Sequence, residues 1–76
     1  MKDALTTIIN SLVSDPSAVS INEVEGETSV IFEVKVAEKD MGKIIGKEGR
    51  IAKAIRTIMK ALAAKEEKKV TIEFIG

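Results

Sequence analysis

No cysteine and no histidine occur in these 76 residues. Their absence removes thiolate nucleophiles, disulfide frameworks, imidazole general bases and the common zinc ligands in one step. With no basic-then-apolar opening, and no uncharged stretch longer than residues 4–14, which Thr, Asn and Ser interrupt, no membrane span is expected and the cytoplasm is the expected location. Tryptophan and tyrosine are missing too, and Phe32 and Phe74 are the only aromatics. A core must therefore come from Ile, Val, Leu, Ala and the two Phe residues, and base stacking on aromatic rings is scarce. One proline and five glycines leave no room for a linker. The expected organisation is one domain over 1–76, with a modest core that dimerisation would supplement. The Asp, Glu and Lys residues form no cluster fit for acid–base work and no calcium-loop spacing, so no enzyme, metal or cofactor is expected. Residues 42–48, Gly-Lys-Ile-Ile-Gly-Lys-Glu, approach a phosphate loop of nucleotide hydrolases. They are one residue short between the glycines and carry Glu where Ser or Thr must ligate magnesium, which excludes that chemistry.

Twelve cations cancel twelve carboxylates, but the cancellation is between halves. Residues 1–38 hold two lysines against seven carboxylates, a net −5, and residues 39–76 hold ten cations against five carboxylates, a net +5. Lys43, Lys47, Arg50, Lys53, Arg56 and Lys60 meet only Glu48 in their stretch. A solvated helix face accounts for many such runs; a glycine loop at the head of this one makes it the basic footprint of a phosphate-binding site.

Leu5, Ile8, Ile9, Leu12 and Val13 recur at helical spacing, with Asp3 placed to cap the start and Asp15-Pro16 to stop the helix. Residues 18–24 alternate loosely and Glu25-Gly26-Glu27 reads as a turn. Residues 28–36 then alternate cleanly, with Val30, Phe32, Val34 and Val36 on one face of a hairpin. Asp40 is placed to cap a short helix that Gly46 ends. A longer helix runs from Arg50 to about Ala64, with Ile51, Ile55, Ile58 and Leu62 on one stripe and Arg50, Lys53, Thr57 and Lys60 on another. After the charged connector 65–69, Val70, Ile72 and Phe74 alternate as a last strand. The order α-β-β-α-α-β predicts an α+β fold with a three-stranded mixed sheet and three helices packed on one face. The first two strands pair antiparallel, and a helical crossover makes the middle and last strands parallel.

This order, with Ile-Gly-Lys-Glu-Gly-Arg-Ile-Ala-Lys-Ala-Ile across residues 45–55, resembles a type II (prokaryotic) KH domain, and the single-domain size resembles the bacterial KhpA family. The resemblance implies a non-catalytic single-stranded RNA-binding protein of low sequence selectivity, with about four nucleotides lying between a helix-loop-helix wall and the sheet edge. Gly46, Lys47, Glu48 and Gly49 would form the Gly-x-x-Gly loop, packed too close to the strand for side chains at the glycine positions. Lys43 and Arg50 would flank it, with Lys47 and Arg50 the best phosphate contacts. Ile44, Ile45 and Ala52 would line or support the groove floor, core packing being the other role open to the two isoleucines, and Lys53 and Arg56 would extend the basic track, solvent exposure being the other reading of both. Two residues depart from the family pattern: Glu48 opposes phosphate, and Ala52 stands where many KH domains have a large aliphatic residue. The resemblance further implies homodimers, a heteromer with a larger KH-containing protein, and an RNA-chaperone or post-transcriptional role linked to cell elongation and division. The alternative is a protein-interaction and dimerisation module with weak RNA binding.

Overall fold

Alternating apolar residues make the sheet. The computed structural model describes residues 1–75. It holds α1 (Lys2–Leu12), a 3-10 turn (Pro16–Ala18), β1 (Ser20–Glu25), β2 (Ser29–Lys35), α2 (Glu38–Lys65) and β3 (Lys69–Ile75). The strands lie in the order β1-β2-β3, β1 antiparallel and β3 parallel to β2. The α+β class and the three-stranded mixed sheet are therefore as expected. Register aligns Val30 with Val70, Phe32 with Ile72 and Val34 with Phe74, so one face is continuously apolar. Val30, Phe32 and Val34 are fully buried there together with Leu5 and Ile9 of α1 and Ile44, Ile55 and Met59 of α2. Burying each such side chain contributes roughly 1.5–3 kcal/mol. Ile31, Lys35, Thr71, Glu73 and Ile75 on the other face stay exposed, the arrangement of a sheet covered on one side only.

The helices depart from the expected pattern in four places. The sequence pattern predicts three separate helices; two α-helices form, because the second runs from Glu38 to Lys65 across a kink. Gly46, Lys47, Glu48 and Gly49 leave helical dihedral space inside it, an interruption so short that the segments 38–45 and 50–65 abut. The seam of the second segment is Ala52, Ile55, Met59 and Ala63, not the stripe of Ile51, Ile55, Ile58 and Leu62. Two alanines let its backbone approach the sheet, and Ile58 is left 46% exposed. Neither aspartate caps as expected. Asp3 sits in the first turn of α1 behind Met1, and α2 starts at Ala37 without a side-chain cap.

Asp40 instead ties α2 to the end of α1. It is 1% exposed. Ser14 donates its N–H and hydroxyl to Asp40 Oδ1 at 3.0 and 2.9 Å, and the Asp15 N–H donates to Oδ2 at 3.2 Å. Lys43 Nζ stands 3.9 Å from Oδ1. A buried carboxylate with three donors is satisfied rather than penalised. At the opposite end, Lys68 pairs with Glu25 and holds that carboxyl below its usual range, while the Lys69 N–H donates to the Thr28 carbonyl at 2.9 Å. These contacts anchor the connector that leads from α2 into β3.

Candidate nucleic-acid interface

The kink in α2 is the Gly-x-x-Gly loop itself. Lys47, Glu48 and Gly49 hold φ of 53°, 62° and 69°, three consecutive residues in left-handed space. Only Gly49 adopts this without penalty; an L side chain costs roughly 1–2 kcal/mol there. Two strained side-chain-bearing residues thus project from the loop, a kind of outlier that clusters at ligand clamps. Gly46 is the opposite case. Its φ of −67° and ψ of 175° suit any residue, and a Cβ built there would meet nothing within 4 Å. Nothing in the fold asks for glycine at 46. Gly42, one turn earlier on the same helix face, also looks onto open space, so a bare strip of backbone leads into the loop.

The structure brings the predicted residues together except for two. Lys43, Ile45, Lys47, Glu48, Arg50 and Lys53 are exposed on or beside the loop, and Gly46 and Gly49 are half-buried. Among the described residues Lys47, Arg50 and Lys53 form no ion pair, which leaves their charge for an anionic ligand. The loop also stands at the amino-terminal end of the segment 50–65, whose dipole favours negative charge. Ile44 and Ile45 separate cleanly, Ile44 being 1% exposed and Ile45 52%. Ile44 is core, and Ile45 is left as exposed apolar surface beside the loop. Ala52, expected near the groove floor, is buried under the helix, where its small size serves packing.

Between the second segment of α2 and β3 runs a groove of about 240 Å³ lined by Arg56, Lys60, Val70, Thr71 and Ile72. The Arg56 guanidinium carbon lies 5.5 Å from the centroid of the Phe74 ring. Phe74, expected in the core, is only half-buried and forms the platform under Arg56. Arg56 and Lys60 were visible in the basic run, and their spacing after Lys53 marks one helix face. Their meeting with the edge strand depends on the crossover, which no local pattern encodes.

A scan of family models matches residues 2–74 to the KH domain of KhpA and KhpB. The chain belongs to the KhpA/KhpB KH-domain family. The RNA-binding protein KhpA of Clostridium acetobutylicum is 60% identical over 75 residues, covering 99% of this chain and 100% of that protein. The KhpA of Caldanaerobacter subterraneus subsp. tengcongensis is 55% identical with the same coverage. That of Chlamydia trachomatis is 45% identical, over 99% of this chain and 96% of its own length. No solved structure matches. The KhpA/KhpB family is a non-catalytic one. Among the described residues no helix is long and apolar enough to cross a membrane.

Proposed function

We propose that this chain binds single-stranded RNA without catalysis, clamping the sugar-phosphate backbone at residues 46–49 and holding bases against the groove between α2 and β3. Gly46 carries the reading: glycine is present where the fold itself tolerates any residue, so the demand for a bare backbone comes from outside the protein. Lys47 and Arg50 supply the phosphate contacts, Lys43 and Lys53 extend the field, and Ile45 gives an apolar contact. Glu48 opposes phosphate and moderates affinity. The relatives' printed names as RNA-binding proteins support the same reading. A cytoplasmic RNA-chaperone or regulatory role, and pairing with a larger KH-containing protein, come to this chain through family membership. A clamp on two to three phosphates predicts that log affinity falls with log salt with a slope of about −1.4 to −2.1 for a single strand. Fluorescence anisotropy of a labelled single-stranded RNA across a potassium chloride series measures it. A flat dependence contradicts the clamp.

Self-association is a second reading, and it is compatible with the first. The face formed by α1 and the second segment of α2 carries a mostly apolar groove of about 360 Å³ lined by Ile8, Leu12, Ile51, Ala54, Ile55 and Ile58 together with Ser11 and Arg50. Leu12 and Ile58 are exposed there. A second copy on this face would double the number of loops and raise affinity for longer RNA through avidity. Sedimentation equilibrium is expected to show a dimer for the wild type and a folded monomer for Ile58→Lys. A wild-type monomer at every concentration rejects this surface.

A further inference from the structure

The groove beside β3 is chemically one-sided. Val70 and Ile72 give it an aliphatic floor, and its polar side chains are Arg56, Lys60 and Thr71. A guanidinium offers five N–H donors and an ammonium three, with no acceptor on either. Arg56 is held from two directions, by the Phe74 ring at 5.5 Å and by a long hydrogen bond in which its Nη2 donates to the Ile72 carbonyl at 3.5 Å. A guanidinium backed by an aromatic ring is a flat, oriented fork, which supplies stacking area in a chain without Tyr or Trp.

Bases differ in what they show such a fork. Guanine presents two adjacent acceptors, O6 and N7, whereas adenine presents N7 beside an amino group that is itself a donor. The Arg56 fork meets both acceptors of guanine at once and only one on adenine. Arg56 lies seven residues past Gly49 on the same helix, roughly 10 Å along its axis, so a strand clamped at the loop runs on toward it.

We propose that Arg56 is the base-reading residue of this chain, and that the groove it shares with Lys60 and the edge of β3 selects guanine over adenine. This rests on the proposed RNA binding at the loop. The phosphate contacts position the strand; Arg56 supplies the discrimination that they cannot.

The test compares fluorescein-labelled hexanucleotides AAAAAA and AAGAAA by anisotropy, with wild-type protein and Arg56→Lys, after circular dichroism confirms that both fold. The wild type is expected to bind the guanine-containing strand about tenfold more tightly, the discrimination of a bidentate pair. Arg56→Lys keeps the charge but loses the fork; the ratio of its affinities for the two strands is expected to fall to about one. Equal wild-type affinity for the two strands, or an undiminished preference in Arg56→Lys, overturns the assignment and leaves backbone clamping intact. Binding of neither strand by the wild type overturns both readings together.

Discussion

Asp40→Ala is expected to lower the melting temperature by roughly 10 °C near neutral pH, the largest loss of stability we anticipate from a single substitution. The carboxylate gathers three donors from Ser14 and Asp15, and alanine leaves them facing an apolar side chain in a part-buried position. It also unpins the end of α1 from the start of α2, the segment that leads into the loop. Acid should produce the same loss gradually. The Ser14 N–H above all holds the Asp40 carboxyl below its ordinary value of 3.8. Burial opposes that effect, while the Ser14 hydroxyl, the Asp15 N–H and Lys43 add to it. The unfolded chain therefore takes up this proton before the folded chain does. The stabilisation is complete above the ordinary value and drains away as pH falls below it toward the depressed folded value. Thermal melts near pH 7 and near pH 3 should show the gap between wild type and Asp40→Ala narrowing in acid. A gap of constant size contradicts the assigned role.

The sheet was legible because its signal is local. Val30, Phe32 and Val34 repeat at period two, and the intervening helix leaves β3 only a parallel pairing with β2. The loop was legible because glycine spacing and the basic run coincide at residues 46–50. Other features were hidden for physical reasons. Periodicity weights large apolar residues, so Ile51 and Ile58 outscored Ala52 and Ala63, although small residues set the closest approach of helix to sheet. Asp40 resembled a cap because capping is the common local use of aspartate; its true partners lie 25 and 26 residues earlier in the chain. The Arg56–Phe74 stack likewise joins residues from opposite sides of the connector. Such contacts exist only once the chain has closed.

Gly46→Ala separates the needs of the fold from those of the ligand. At φ −67° with open space around the added methyl group, alanine introduces no strain, and it reduces the freedom of the unfolded chain by an amount worth roughly 0.4–1 kcal/mol. Stability should hold or rise slightly. On the proposed clamp, the same methyl group projects into the path of the bound strand's backbone. Overpacking of this kind costs roughly 1–3 kcal/mol, or about five- to 150-fold in affinity. Gly49 offers no such separation, because its φ of 69° makes any side chain a cost to the fold as well. The most direct measurement is therefore the affinity of a fluorescein-labelled single-stranded RNA, by anisotropy, for wild type and for Gly46→Ala with thermal melts run in parallel. The account predicts an equally or more stable variant that binds at least about fivefold more weakly. An equally stable variant that binds as tightly as wild type would contradict a backbone clamp at this loop.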